Sequence, residues 1–213
     1  MNTDDLILQL SQGARPVRSA AVMPRVVTGV ALGAALSATL VILWLGPRHD
    51  LAVAVHQSSY WMKWAYTLSL AAAALATTVQ FARPDTGKPR GVWLLAIPVV
   101  LLAGVGLLEL MRTPQSDWLA MWLGQSWTSC PWLVLIFAVP IFLGLLWSFR
   151  RLAPTRLRAA GAAAGLTAGA SAASVYCLHC PEVSAIFVLT WYSLGILLAT
   201  LVGALLGPRL LRW

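Results

Sequence analysis

The residues best equipped for chemistry are three cysteines, three histidines and a few acidic side chains. Cys130 stands in Ser129-Cys130-Pro131-Trp132, and Cys177 and Cys180 stand in Cys177-Leu178-His179-Cys180-Pro181-Glu182. Three chemistries suit these types and spacings. A disulfide between Cys130 and Cys180 would staple two loops and act as a redox switch. Thiolates of Cys130 and Cys180 with His179 or Glu182 would make a soft ligand set for a zinc-like or heavy-metal ion. Cys177-x-x-Cys180 is the spacing of a thiol-exchange pair, as quinone-linked oxidases use. Set against these, one or more of the cysteines reads equally well as a buried, inert thiol at the end of a helix. The order is not CxxCH, which argues against covalent haem attachment. Glu109, inside an apolar run, is a further marked carboxylate that needs a partner at membrane depth.

The elements that must position these residues are membrane helices. The chain has 213 residues, 59% hydrophobic and only 10% charged, with a mean hydropathy of +0.77. A soluble domain carries about 25% charged residues. Six apolar segments are about long enough to span: Val26–Leu45, Trp64–Phe81, Val92–Met111, Trp132–Phe149, Ala159–Val175 and Val183–Leu206. Pro, Gly and charged residues close the first three, as in Gly46-Pro47-Arg48-His49-Asp50. The fold class is therefore all-α, a polytopic membrane helical bundle. A tail of residues 1–25, a transmembrane domain of 26–206 and a stub of 207–213 divide the chain. The first apolar stretch follows a polar tail and is too long for a cleaved secretory signal.

Orientation follows from Lys and Arg. Of the 15, twelve fall with the tail, the two loops Arg83–Arg90 and Arg150–Arg158, and the C-terminal stub; Arg48, Lys63 and Arg112 fall on the other side. The positive-inside rule puts the larger group, and both termini, in the cytoplasm of a bacterial inner-membrane protein. The formal charge of +8 then reflects loops flanking spans rather than a nucleic-acid partner. All three cysteines and all three histidines fall on the outer side, which in bacteria is oxidising.

Inside the bundle, Gly161, Gly165 and Gly169 recur every four residues among Ala and Ser. Such a face lets another helix approach closely; a helix of the same chain is the expected partner, with a dimer interface the alternative. Pro98 and Pro140 should kink or locally distort their spans. The cytoplasmic parts are too small for a catalytic domain, and there is no phosphate-binding glycine loop, zinc-protease helix or serine elbow. In the tail, Asp4 and Asp5 suit the first turn of a helix that places Leu6, Ile7 and Leu10 on one face and ends at Gly13 and Pro16. A helix this short is marginal alone and gains order by docking onto a partner; a tail that lies on the lipid headgroups fits the pattern equally well.

Several of these motifs together resemble the NrsF-type anti-sigma factors. They are Thr3-Asp4-Asp5-Leu6-Ile7 with Gly13 and Pro16-Val17-Arg18, Ser126-Trp127 with Cys130-Pro131-Trp132, Leu152-Ala153-Pro154-Thr155-Arg156, and Leu178-His179-Cys180-Pro181-Glu182 leading to Trp191-Tyr192. The resemblance runs in order along nearly the whole chain. It implies a six-span inner-membrane protein that holds an extracytoplasmic-function sigma factor inactive and releases it on an outside signal, an oxidant or a heavy metal. It implies that Cys130 and Cys180 are the sensing thiols, with Cys177 an extra, and that there is no resident cofactor and no enzymatic activity. The sigma contact is expected in the tail around Asp4, Asp5, Leu6, Ile7 and Leu10. A quinone-linked membrane thiol oxidoreductase and a small transporter are the alternatives.

Overall fold

The computed structural model describes residues 3–12, 22–83, 91–150, 152 and 154–212, and these are helical with no strand among them. In chain order the helices are α1 (Thr3–Gln12), α2 (Val22–Leu45), α3 (Leu51–Ala54), α4 (Ser58–Phe81), α5 (Val92–Arg112), α6 (Trp118–Leu123), α7 (Cys130–Phe149), α8 (Leu157–Tyr176) and α9 (Ala185–Leu210). The expected helix stop at Gly13 and Pro16 lies outside the described residues. So does most of the Arg83–Arg90 loop. α9 continues through Gly207 to Leu210, so most of the expected stub is helix.

Four helices, α2, α5, α7 and α9, are long and apolar enough to cross a membrane. Six were expected. α4 and α8 have the length, 24 and 20 residues, but not the apolarity. The reason is what surrounds them. Thirteen of the 20 residues of α8 are buried, nearly all Ala, Gly, Ser or Thr, because α8 is packed on several sides by other helices. α5 buries only Pro98, Leu102 and Gly106 and turns Leu101, Val105, Leu107 and Leu108 outward. Large apolar side chains thus lie on the outside of the bundle, where lipid would meet them, and small or weakly polar ones lie within. α4 starts at Ser58, six residues before the expected Trp64.

Neighbouring helices cross at backbone contact. A Cβ on Gly161 would strike Gly203 O, one on Gly203 would strike Gly161 O, and one on Gly165 would strike Ala199 O. A Cβ on Gly169 would come within 3.0 Å of Ile196 Cα. The expected small-residue face of α8 therefore runs antiparallel along Ile196, Ala199, Gly203 and Gly207 of α9. A second seam joins α2 to α7. Gly29 lies on Gly144, and Gly33 would place a Cβ 2.5 Å from Ile141 Cα. Ser37 Oγ donates to Phe137 O at 3.0 Å and Ser148 Oγ to Arg25 O at 2.9 Å. α4 lies antiparallel to α8, with Thr78 Oγ1 and Thr167 Oγ1 hydrogen-bonded at 2.9 Å.

Pro140 sits inside an unbroken α7. Pro98 follows a single 3₁₀ turn, Val92–Leu95, in the first turn of the α segment Ala96–Arg112, where its missing N–H costs no helical bond. The larger irregularities are π turns at Val41–Leu45 and Val188–Tyr192.

Candidate functional site

At one end of the bundle three connections meet: Gly46–Asp50 after α2, Gly124–Ser129 before α7, and Cys177–Ser184 between α8 and α9. Cys177 follows the last residue of α8 and its N–H donates to Ala173 O at 3.1 Å; Cys180 N donates to Tyr176 O at 3.1 Å, so the chain leaves the helix in a closed turn. Pro181 then stops it. Cys130 opens α7, with its N–H donating to Ser126 O at 2.9 Å, and Pro131 fills a first-turn position that has no N–H to lose. All three cysteines are fully buried free thiols. Thr67 Oγ1 lies 4.0 Å from Cys177 Sγ, and Ser126 Oγ lies 4.0 Å from Cys180 Sγ. The structure thus brings Cys130, Cys177 and Cys180 into one buried cluster without a bond between them. Burial pushes the Cys177 thiol up to about 11, against the opposing pull of the Lys63 charge, so at neutral pH it is protonated and slow to react.

The residues expected around the thiols have other partners. Glu182 Oε1 accepts from Gln125 N at 2.7 Å, Ser126 N at 3.1 Å and Ser126 Oγ at 3.1 Å. Gly124 makes this possible. Its φ of +55° turns the chain so that the next two N–H groups face the carboxylate, and a Cβ there would sit 2.6 Å from Glu182 Oε2. His179 Nδ1 bonds Gly46 O at 2.9 Å. A carbonyl only accepts, so this nitrogen carries the proton. Arg48 N donates to Leu178 O at 3.1 Å, and the Arg48 guanidinium forks onto Asp50 with two bonds of 2.6 Å. That hydrogen bond holds Asp50 below the usual carboxylate range and raises Arg48. Glu182 and His179 are therefore engaged by backbone groups of neighbouring connections, and among the described residues no group of three or more His, Cys, Asp or Glu could hold a metal ion. The expected four-donor metal set is not assembled, because its two harder donors bind backbone instead.

Two residues contribute that their sequence context did not reveal. Lys63 is fully buried and donates to Cys180 O at 2.9 Å and Glu182 O at 2.6 Å. It lies on the inward stripe of α4 with Tyr60, Thr67 and Leu70, a helical spacing that marks it as a core position in retrospect. Tyr192, at the π turn of α9, is fully buried beside the thiols of Cys177 and Cys180, and among the described residues its hydroxyl makes no hydrogen bond of good geometry. Its neighbour Trp191 lies at the rim, donates to Trp122 O at 2.8 Å and stacks on Trp122 and Trp127, each 5.4 Å away between ring centres. Glu109 has the partner its depth requires. Its Oε2 accepts from Ser184 Oγ at 3.1 Å and Ala185 N at 2.8 Å, so it caps the start of α9.

The tail residues form α1. Asp4 and Asp5 lie in its first turn, and Leu6 and Ile7 are exposed; the Leu10 side chain lies outside what is described.

A helical bundle with a largely apolar exterior, closed at one end by a buried thiol cluster, is the class these features define. Residues 10–213 match the family described as Negative regulator of sigma F, and the chain belongs to that family. It is 39% identical over 213 residues, the full length of both chains, to the probable anti-sigma-F factor NrsF of Azospira oryzae. It is 36% identical over 214 residues, again the full length of both, to the anti-sigma-F factor NrsF of Caulobacter vibrioides. No solved structure matches.

Proposed function

We propose that this protein is an anti-sigma factor of the bacterial inner membrane. It holds an extracytoplasmic-function sigma factor inactive and releases it when an oxidant or heavy metal reaches the thiols Cys130 and Cys180. The observation that carries the reading is the end-to-end similarity to two relatives named as anti-sigma-F factors. A regulator of this kind needs no active site, so the reading displaces the thiol oxidase and transporter alternatives.

The membrane arrangement is six spans with both termini in the cytoplasm. α4 and α8, at about 1.5 Å per residue, reach about 30 Å or more, enough to cross beside the four apolar helices. The charge asymmetry of the loops supports the direction. α1, with its exposed Leu6 and Ile7 and acidic first turn, is the element that docks on the sigma factor, helped by the basic loops around Arg83–Arg90 and Arg150–Arg158. The thiol cluster lies between α4, α7, α8 and α9, so a bond or soft-metal contact at Cys130 and Cys180 alters how these helices pack. Close-packed seams such as α8–α9 have discrete arrangements rather than a continuum. Moving a 1:99 balance to 99:1 needs about 5.5 kcal/mol of differential energy, within reach of a disulfide or a thiolate–metal contact.

The test is a pull-down of the solubilised protein from its own host with mass spectrometry of the eluate, before and after mild oxidant. A sigma factor that co-purifies and leaves on oxidation is the expected result. Its absence from the eluate of reduced protein would overturn the reading.

A further inference from the structure

α5 is fastened to the bundle at its two ends and stands off between them. At its start Gly91 lies against α4, where an added Cβ would come within 3.1 Å of Gln80 Nε2. Near its other end Glu109 Oε2 accepts from Ser184 Oγ and Ala185 N, and a Cβ on Gly106 would lie 2.7 Å from Ile186 Cδ1. Between these fastenings a cleft opens along α4. One half, of about 330 Å³, begins at Pro98 and has Met62, Ala65 and Ser69 of α4 on one wall and Leu101, Leu102 and Val105 of α5 on the other. The second half, of about 480 Å³, shares Met62 and Val105 and continues to a rim of Ser58, Ser59, Glu109 and Arg112.

The two halves differ in chemistry. In the first the hydroxyls are already engaged: Tyr66 Oη pairs with Ser193 Oγ at 2.6 Å, and Ser69 Oγ donates to Ala65 O at 2.6 Å. What remains to present is hydrocarbon. At the rim, Ser58 and Ser59 open α4, where first-turn N–H groups have no intrahelical partner and the residue before them supplies no side-chain cap. Arg112 takes no part in the one ion pair among the described residues. Glu109 spends Oε2 on α9 and keeps Oε1. The rim thus carries one cation with hydroxyl donors beside it and one carboxylate, and a headgroup with one anion and one cation complements it. The depth also selects the occupant. The helical rise from Pro98 to Arg112 is about 21 Å, and half a bilayer with its headgroups is about 20–22 Å. A lipid of one leaflet fits that depth, whereas a helix of a second copy would need the groove to run on past Gln80, where α4 and α5 meet.

We propose that the cleft between α4 and α5 binds a zwitterionic phospholipid: an acyl chain lies between Ala65 and Leu101, the phosphate sits on Arg112 with Ser58 and Ser59, and the amine faces Glu109. A guanidinium beside hydroxyls suits a phosphate ester. The acyl chain supplies the dispersion contacts that the two separated walls do not give each other. The inference rests on the membrane reading of the bundle, and on neither the sigma factor nor the thiols.

The experiment is photolabelling of the full-length protein in dodecyl maltoside micelles, which contain no phosphate. The probes are phosphatidylethanolamine with a diazirine on one acyl chain and diacylglycerol with the same chain, and labelled sites are read by peptide mass spectrometry. The groove between α7 and α9, lined by apolar side chains such as Leu143, Val202 and Leu206, is the internal reference. Phosphatidylethanolamine is expected to label the cleft at least about fivefold more than diacylglycerol, a preference of about 1 kcal/mol, while the reference groove takes both alike. Arg112→Gln is expected to abolish the cleft preference and leave the reference unchanged, and Arg112→Lys to keep part of it. If Arg112→Gln does not retain wild-type helix content, Ser58→Ala/Ser59→Ala is read in its place, with at least a twofold fall expected. A cleft preference no greater than that of the reference, or one that survives the variant, would overturn the site. So would a cleft that neither lipid labels while the reference is labelled, the mark of a second copy seated there. Phosphatidylglycerol that labels the cleft better than phosphatidylethanolamine would overturn the amine contact. Loss of labelling at both grooves sinks the membrane reading, and loss at the cleft alone sinks only this site.

Discussion

Replacing Gly165 with Ala should destabilise the bundle, and replacing Gly104 with Ala should not, although the chemical change is the same. At Gly165 the added Cβ would lie 3.0 Å from both Ala199 C and Thr200 Cα, and closer still to Ala199 O, where ordinary contact begins at 3.4 Å. These are backbone atoms of α9, so no side chain can swing away. The two helices must part by several tenths of an ångström at the carbons and more at the oxygen. A radial gap of about 0.5–1 Å forfeits a quarter to a half of the dispersion attraction of each pair. The loss extends along the seam, because Gly161–Gly203 and Gly169–Ile196 are close backbone approaches of the same two helices. Overpacking typically costs about 1–3 kcal/mol, and the helix preference for Ala returns up to about 1 kcal/mol. Because the obstructing atoms are backbone, the cost falls in the upper half of that range, and Gly165→Ala should lose about 1–2 kcal/mol net. Gly104, on the exposed side of α5, has nothing within 4 Å of an added Cβ, so Gly104→Ala should be neutral or gain up to about 1 kcal/mol. The assay is reversible unfolding from mild detergent by sodium dodecyl sulfate, followed by circular dichroism. Equal stabilities for the two variants would refute the backbone-contact reading of the α8–α9 seam.

Three further outcomes are expected. Glu109→Ala leaves Ser184 Oγ and Ala185 N at the start of α9 without their acceptor, and should cost about 1–2 kcal/mol in the same unfolding assay; a change below about 0.3 kcal/mol would contradict the capping role. Asp50 is held below its ordinary range by Arg48, so its contribution is complete above the unfolded carboxylate value of about 3.9 and fades as pH falls through the folded value. Asp50→Asn should lower stability at neutral pH and converge with wild type in acid, and a difference that widens toward low pH would reverse the assignment. Cys180→Ser should remove the response to oxidant in a sigma-dependent reporter while membrane insertion, measured by fractionation, stays intact.

The long apolar helices were legible because apolar runs and Pro/Gly breaks are local signals. The weakness of the six-span count lay in α4 and α8, whose Ala, Ser and Thr content reflects burial among helices rather than exposure to lipid. Gly161, Gly165 and Gly169 announced a close approach, but not to what. Their partners Ala199, Gly203 and Gly207 carry the same four-residue spacing in a more apolar helix, where small residues are less conspicuous. That the three thiols belong at one end of the bundle was legible, and their surroundings were not. Lys63 read as a charge that fixes orientation because one lysine near a helix start ordinarily reaches toward water. Its burial depends on carbonyls 117 and 119 positions away in sequence. Glu182 and His179 looked like ligands by type, but Gly124's positive φ and the Gly46 carbonyl, both distant in sequence, engage them instead.

The central claim is that this chain holds a sigma factor at the membrane and lets it go through its thiols. The most direct measurement is co-sedimentation of the purified sigma factor with vesicles bearing the full chain, with and without hydrogen peroxide, for wild type, for a chain lacking residues 2–12, and for Cys130→Ser/Cys180→Ser. The account predicts that wild-type vesicles retain the sigma factor until peroxide is added, that the truncated chain never retains it, and that the double serine variant retains it throughout. Sigma factor that stays in solution with reduced wild-type vesicles would contradict the account.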